Sequence, residues 1–171
     1  MLVRALAFIA ALLPAFAAQA DASRQPIGSV TVEAGTLSYT VDDEQRWVPS
    51  LRVRGAFWLT RALEAGVYGE LAARDLPLKH PGFGGGAFVQ LRPRIGFFQA
   101  AIAAEAGYLQ LPDEQSGYAG AWHVGASAGV GLTIHRRAAL LARVGVRHFF
   151  GNGASERLGT SISLGLTFDL P

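Results

Sequence analysis

The sequence predicts an all-β fold: an eight-stranded antiparallel up-and-down transmembrane β-barrel, preceded by a cleaved signal peptide. Most segments after residue 20 alternate apolar and polar residues, the period-two pattern of strands whose two faces meet different surroundings. The mean hydropathy is +0.26 and 50% of the 171 residues are hydrophobic. Beyond the N-terminus, however, no apolar run reaches the roughly 18 residues that a membrane-spanning helix needs. The excess hydrophobicity is therefore assigned to strand faces.

Residues 1–20 have the features of a secretory signal peptide. Arg4 makes the start basic, residues 5–16 are apolar apart from Pro14, and Ala18-Gln19-Ala20 forms a small-x-small cleavage pattern. We therefore expect 1–20 to be removed and 21–171 to form one barrel domain. The chain contains no cysteine, which excludes a lipoprotein anchor, a disulfide framework and a cysteine-ligated metal site.

Eight segments of the mature chain are predicted to be strands. They cover about residues 30–41, 49–59, 67–74, 84–92, 98–108, 121–134, 138–150 and 158–170. The last is the clearest, because its even positions are apolar except Thr160, while its odd positions are small or polar. The first segment changes phase near Gly35, which predicts a β-bulge there.

The connections between these strands alternate in length and in charge. Three are tight (60–65, 93–95 and 135–137), and four hold about five to eight residues (42–46, 75–82, 112–118 and 151–157). Up-and-down membrane barrels have short periplasmic turns and longer outer loops. The tight end is basic, with Arg61, Arg92, Arg94, Arg136 and Arg137. The other end is acidic, with Asp42, Asp43, Glu44, Asp75, Asp113, Glu114 and Glu156. The acidic loop tips are expected to bind divalent cations weakly, without a dedicated metal site, or else to be simply solvated.

The character of the polar face indicates which face meets lipid. That face is rich in glycine, serine and alanine, and only 16% of the chain is charged, whereas a water-exposed surface carries roughly 25–35% charged residues. A soluble barrel is apolar inside, and a membrane barrel is inverted. The pattern therefore predicts a narrow polar lumen and a lipid-facing apolar exterior. Aromatic residues should mark two lipid interfaces, with Tyr39, Trp47, Tyr108, Trp122 and Phe150 at the long-loop end and Phe57, Phe98 and Phe168 at the short-turn end.

Charges inside the predicted lumen are expected to pair across neighbouring strands. Turns centred near 43–44 and 62–63 would place Glu33 opposite Arg54, and Arg54 beside Glu70 or one step from it, in one row. Turns near 115 and 136 would place Glu105 and Arg147 on either side of a glycine. An unpaired ion there costs several kcal/mol, so neutralising both Glu105 and Arg147 should leave a more stable barrel than neutralising either one. Further polar side chains expected in the lumen are Arg52, Arg92, Gln99, His123 and Arg143.

The last residues carry a specific resemblance. Ser163-x-Gly165-x-x-Phe168-x-Leu170 is similar to the C-terminal signal of bacterial outer-membrane β-barrel proteins, which their assembly machinery recognises. Here Leu170 stands in place of an aromatic residue and Pro171 follows. With the signal peptide and the eight alternating segments, the chain resembles the small outer-membrane β-barrel proteins of OmpA/OmpX type. The resemblance implies export to the outer membrane of a Gram-negative bacterium, contact with its lipids and lipopolysaccharide, and a barrel-assembly machinery during biogenesis. We expect a monomer.

Three functions are compatible with this fold. The first is a structural or envelope-surface role for a barrel with a packed polar lumen. The second is a narrow, anion-leaning channel, because eight strands enclose a lumen that side chains just fill and this one contains several arginines. The third is a lipid-modifying outer-membrane enzyme. The basic residues are too scattered for nucleic-acid binding, and we predict no cofactor.

The sequence predicts no catalytic residue. His123 and Ser127 share a face with Glu105 nearby, but residues four apart on a strand are separated by roughly 13 Å, so His123 cannot activate Ser127. His148 lies near Ser155 in sequence, but the His-x-Ser-Asn signature of lipid A deacylases is absent. The four histidines do not have metal-ligand spacing on a shared face.

Overall fold

The computed structural model describes residues 26–41, 44–75, 79–113, 117–151 and 154–171. Their strands are β1 (Gly28–Val41), β2 (Glu44–Trp58), β3 (Leu63–Asp75), β4 (Lys79–Leu91), β5 (Arg94–Ile95), β6 (Phe98–Asp113), β7 (Gly117–His135), β8 (Ala138–Gly151) and β9 (Ala154–Leu170). Each pairs antiparallel with its neighbours, and β1 pairs with β9, so the sheet closes on itself. Two-residue β5 follows β4 and pairs with the same strand, β6. Counted together, β4 and β5 form one strand position, so the barrel wall has eight strands. The predicted eight-stranded up-and-down barrel is confirmed.

The chain outside those ranges includes the predicted signal peptide, residues 1–20, so its cleavage stays a prediction. No described residue belongs to a helix long and apolar enough to cross a membrane.

The eight long strands extend further than the alternation of side chains indicated. They contain 13 to 19 residues, and at the acidic end they leave only 42–43, 76–78, 114–116 and 152–153 between them. The expectation of outer connections with five to eight residues is therefore wrong. Backbone pairing needs no apolar side chain, so pairs such as Asp75 with Lys79 continue the ladder beyond the apolar band. The acidic tips lie outside the residues whose side chains are described, and their weak cation binding stays a prediction.

The exterior of the barrel is apolar and its interior is charged. Val67, Ile102 and Val130 are 66–67% exposed, whereas Arg54 and Arg147 are 2% and 1% exposed. An arrangement of this kind is stable only where the outer face meets lipid, because so large an apolar surface is unfavourable in water. The predicted inversion of the two faces is confirmed.

Most of the predicted interface aromatics lie on the exterior. Trp47, Tyr108, Trp122 and Phe150 are exposed at the long-loop end, and Phe57 and Phe98 are exposed at the short-turn end, while Phe168 is half-buried. Tyr39 is the exception, because it is only 2% exposed. Its assignment to a lipid interface is wrong.

The β-bulge predicted near Gly35 is absent from the described pairing of β1. The register with β2 runs without a shift from Gly28 opposite Phe57 to Val41 opposite Glu44, and the register with β9 is equally continuous. The apparent change of phase has another cause: Leu37 and Tyr39 have the parity of Glu33 and are buried like it. Along β1 the inward side chains change from polar to apolar, while the alternation of inward and outward positions continues unchanged. Register shifts occur instead between Thr133 and His135 and between Phe149 and Gly151.

Two glycines of the wall make room for a lumen side chain. A Cβ at Gly86 would lie 2.8 Å from the Tyr68 hydroxyl oxygen, and one at Gly107 would lie 2.7 Å from it. Both distances are shorter than van der Waals contact, so these positions have no space for a side chain. The glycines thereby allow the buried Tyr68 ring to reach across the lumen.

Candidate functional site: the lumen

The side chains inside the barrel form three layers between its two ends. A short-turn cluster contains Ser29, Glu64, Arg92, Arg94 and Asp169. A central network contains Glu33, Arg52, Arg54, Glu70, Gln90, Glu105, Ser127, Arg143, Arg147 and Ser163. An outer apolar layer contains Leu37, Tyr39, Val48, Ala72, Leu109, Ala121 and Phe149. Each layer is built from inward positions of several strands, since every second residue of a strand faces inward.

The central network is organised around a closed ring of two arginines and two glutamates. Arg52 lies 3.0 Å from a carboxylate oxygen of Glu70 and 3.0 Å from one of Glu105. Arg147 lies 2.8 Å from Glu70 and 2.8 Å from Glu105. All four side chains are at most 7% exposed. Each charge in this ring therefore has two opposite partners in a site without bulk water.

Glu105 and Arg147 flank Gly125, because Gly125 pairs with Glu105 on one side and with Arg147 on the other. The Arg147 Nε–H donates to Glu105 Oε1 at 2.8 Å across the bare glycine. A Cβ at Gly125 would lie 3.0 Å from Arg147 Cγ and 3.4 Å from Glu105 Cγ. The missing side chain leaves a path along which the two long side chains meet.

The other predicted row differs in register from the structure. Glu33 pairs with Arg52, and Arg54 pairs with Tyr68, so the placement of Glu33 opposite Arg54 is wrong by two residues. The side chains still approach, since Arg54 Nη1 lies 3.6 Å from Glu33. Glu70 forms its ion pairs with Arg52 and Arg147 instead of Arg54.

Arg54 is the least satisfied cation of the network. Its nearest carboxylates are Glu33 at 3.6 Å and Glu105 at 3.8 Å, and none of its three guanidinium nitrogens has a hydrogen-bond partner among the described residues. Its guanidinium carbon lies 3.9 Å from the centroid of the Phe88 ring, where a cation–π interaction stabilises the charge.

Arg143 connects this charge network to neutral side chains. Its Nε lies 3.2 Å from Glu33, and its terminal nitrogens donate to Gln90 at 2.6 Å and to Ser127 at 3.0 Å. Together, four arginines of the central network face three glutamates. By formal charge, the arginines at the centre of the lumen thus exceed the glutamates by one.

The short-turn cluster closes the other end of the charged region. Arg92 Nη2 lies 2.5 Å from Glu64 and 2.9 Å from Asp169, and Arg94 is also ion-paired with Asp169. Ser29 donates to Glu64 at 3.1 Å. The lumen position of Arg92 was predicted from the sequence, but the positions of the two acids were not. Glu64 shares its parity with Glu70, and Asp169 lies on the polar phase of the last strand, so strand parity was a signal that could have found them.

The outer apolar layer corrects the expectation of a lumen that is polar throughout. Leu37, Leu109 and Phe149 are at most 1% exposed, although they occupy inward positions. Beside this layer, the Tyr68 hydroxyl and His123 Nε2 are 2.5 Å apart, and the His123 ring packs 5.5 Å from that of Phe149. Alternation assigned large apolar residues to lipid, and so it did not anticipate an apolar layer inside.

The described residues do not bring a catalytic constellation together. His123 contacts Tyr68, whereas Ser127 accepts a hydrogen bond from Arg143. His148 is exposed on the exterior, and the side chain of Ser155 is outside the described part of the chain. Gln99 is buried and donates to Thr133 at 3.1 Å. No group of three potential metal-ligating residues occurs among the described residues.

A closed eight-stranded barrel with an apolar exterior and a charged interior defines a small transmembrane β-barrel. The sequence matches no family model and no curated protein, but the fold matches several solved structures. Neisserial surface protein A superimposes with a TM-score of 0.68 at 12% identity, covering 84% of this chain and 97% of that one. The N-terminal β-barrel domain of OprF from Pseudomonas aeruginosa gives 0.56 at 13%, covering 84% and 100%. Ail, the attachment invasion locus protein of Yersinia pestis, gives 0.52 at 11%, covering 85% and 99%.

These likenesses show that the chain has the fold of the small outer-membrane barrels. The fold and the apolar exterior together support an outer-membrane location. The residues of the predicted assembly signal, Ser163, Gly165, Phe168 and Leu170, all lie in β9, the strand that closes the barrel against β1. Their recognition by an assembly machinery stays a prediction.

Proposed function

We propose that this chain is a monomeric integral outer-membrane barrel whose lumen is closed by side chains, with a structural or envelope-surface role. Its partners are outer-membrane lipids and lipopolysaccharide, and the barrel-assembly machinery during biogenesis. The observation that carries the proposal is the pair of barriers across the lumen, the ion-pair ring of the central network and the outer apolar layer.

The ion-pair ring spans the barrel from wall to wall. Arg147 is on β8 and Glu70 is on β3. These strands are four positions apart around the wall, and therefore on opposite sides of an eight-stranded barrel. Arg52 on β2 also crosses the lumen, to Glu105 on β6, which is three strand positions away around the wall. Eight strands enclose an interior that side chains just fill. A solute would have to separate these pairs in order to pass.

The outer apolar layer adds a barrier of a different kind. Leu37 on β1, Leu109 on β6 and Phe149 on β8 meet in one buried cluster. An apolar constriction excludes water, and an ion that enters it loses its hydration shell without gaining polar partners. Both barriers favour a plug over a pore.

Conductance in planar bilayers tests the closed lumen. The wild-type barrel should show no discrete current steps. A variant that opens both barriers, Arg147→Ala with Phe149→Ala, should conduct if it still shows the heat-modifiable electrophoretic band of a folded barrel. Val146→Ala on the exterior is the matched control, because Val146 is 49% exposed and its truncation leaves the lumen intact. Regular current steps from the wild type would refute the proposal.

The second candidate is a narrow anion-leaning channel, and one observation favours it. The central network has one excess positive charge, and an arginine ring selects for anions where a pore exists. Reversal potentials in a salt gradient distinguish the candidates, because a channel would show anion selectivity in the wild type, whereas a plug would conduct only in the opened variant.

A further inference from the structure

A partly open pocket lies at the short-turn end of the barrel, beside the short-turn cluster. A cavity of about 280 Å³ is lined by Pro26, Trp58, Arg61 and Arg94, and we call it the mouth pocket. Phe57, the neighbour of Trp58, is 69% exposed on the exterior at the predicted lipid interface. The mouth pocket therefore lies near the level of lipid headgroups.

Two of the four residues that line the mouth pocket are arginines, whose side chains can only donate hydrogen bonds. Arg61 is exposed in the turn before β3, and no ion pair joins it to a described residue. Arg94 is ion-paired with Asp169, but Asp169 is also ion-paired with Arg92. The two acids of the short-turn cluster are matched by Arg92 and Arg94, so Arg61 adds a positive charge that no described acid balances.

The indole of Trp58, which also lines the mouth pocket, carries a donor without a hydrogen-bond partner. Its Nε1 is buried, with no hydrogen-bond acceptor in the described part of the chain, and such orphan donors are uncommon in folded proteins. The Arg92 and Arg94 guanidinium carbons lie 4.7 and 5.8 Å from the Trp58 ring centroid. Because Nε1 is covered in the free protein, an acceptor reaches it only when a neighbouring side chain shifts, which would change the surroundings of the indole.

We propose that the mouth pocket binds a phosphate group. Guanidinium groups match phosphate oxygens in geometry and charge, and the indole N–H supplies a further donor. The volume is slightly below the roughly 300–1,000 Å³ of sites for drug-sized ligands, which suits a headgroup better than a whole metabolite. The phosphate belongs either to a membrane lipid or to the free anion. This site does not depend on whether the lumen is closed.

Two probes and one pair of matched variants test the site. The full barrel in phosphate-free detergent is titrated with inorganic phosphate while tryptophan fluorescence is recorded, and Trp58→Phe identifies the signal of this residue. Native mass spectrometry of the same protein compares retention of phosphatidylglycerol with that of diacylglycerol, which lacks the phosphate. Arg61→Gln removes a pocket arginine, whereas Arg136→Gln removes an arginine that is exposed in another turn and does not line the pocket.

We expect a response of Trp58 to phosphate, retention of phosphatidylglycerol over diacylglycerol, or both. Arg61→Gln should weaken the observed binding about tenfold, as for the loss of one charge-assisted hydrogen bond, and Arg136→Gln should leave it nearly unchanged. A response to the free anion alone assigns that source, and retention of lipid alone assigns the headgroup. Equal losses in both variants, or no response to either probe, would overturn the proposal.

Discussion

Neutralising Glu105 should destabilise the barrel more than any other single change in the central network. Glu105 lies within 4 Å of Arg147, Arg52 and Arg54. Glu105→Gln would leave the four arginines with two glutamates and raise the excess charge from one to two. Leaving a buried charge uncompensated costs about 3–5 kcal/mol, and we expect a loss of that size in the free energy of unfolding.

Arg147→Gln should be milder, because it leaves three arginines facing three glutamates. Its cost is about 1–3 kcal/mol, the penalty for groups that lose a hydrogen bond in a buried site. The double variant restores the wild-type excess of one charge, so it should recover about 1–3 kcal/mol relative to Glu105→Gln. The structure thus revises the expectation from sequence: the double variant should be more stable than Glu105→Gln, but not more stable than Arg147→Gln.

Reversible urea unfolding in lipid vesicles, followed by tryptophan fluorescence, measures these differences. The heat-modifiable band on electrophoresis provides an independent readout of the folded fraction. If Arg147→Gln costs as much as Glu105→Gln, and the double variant costs the sum of the two, then the charges act independently. That result would refute the argument from charge balance.

Three further predictions concern the wall and the rim. Val144→Arg places a charge at a lipid-facing position that is 57% exposed, which should cost about 2–4 kcal/mol and reduce membrane assembly, as cell fractionation would show. Gly86→Ala should cost about 1–3 kcal/mol in urea unfolding, because its Cβ meets backbone at 2.1 Å and Tyr68 at 2.8 Å. Gly69→Ala, with no atom within 4 Å of its Cβ, is the matched control and should be nearly neutral. Neutralising the acidic tips should lower the small gain in thermal stability that calcium gives in lipopolysaccharide-containing membranes, and equal melting with and without calcium would argue against any binding. These tips are Asp42, Asp43, Glu44, Asp113 and Glu114.

The fold was predictable because lipid and lumen impose opposite demands on alternate residues of every strand. The positions of Glu105 and Arg147 beside Gly125 could also be derived, since their turns were centred correctly. The turn between β1 and β2 was placed one residue too far along the chain, and an error of one residue in a turn centre moves the register by two. Such a shift keeps every side chain on its own face. Alternation therefore could not detect it, and the residue opposite Arg54 was misassigned, although the Arg54 side chain still lies 3.6 Å from Glu33.

The outer apolar layer was missed for a different reason. Leu37, Tyr39 and Phe149 have inward parity but lipid-like chemistry, so hydrophobicity and parity give opposite answers at these positions. In β1 the conflict looked like a bulge. Strict adherence to parity through Gly35 would have placed Leu37 and Tyr39 inside. Only three-dimensional contact shows that they meet partners from β6 and β8 there.

The accessibility of single cysteines in the folded barrel tests most directly whether the exterior lies in lipid and the lumen is sealed. The chain has no cysteine of its own, so Val130→Cys on the exterior, Ser127→Cys in the lumen and Arg136→Cys in the exposed turn each introduce one thiol. A charged water-soluble maleimide is applied to sealed vesicles, to permeabilised vesicles and to protein unfolded in urea. It should label position 136 once the vesicles are permeabilised. Positions 130 and 127 should be labelled only when the protein is unfolded. Rapid labelling at 130 would contradict the membrane-facing exterior, and rapid labelling at 127 would contradict the sealed lumen.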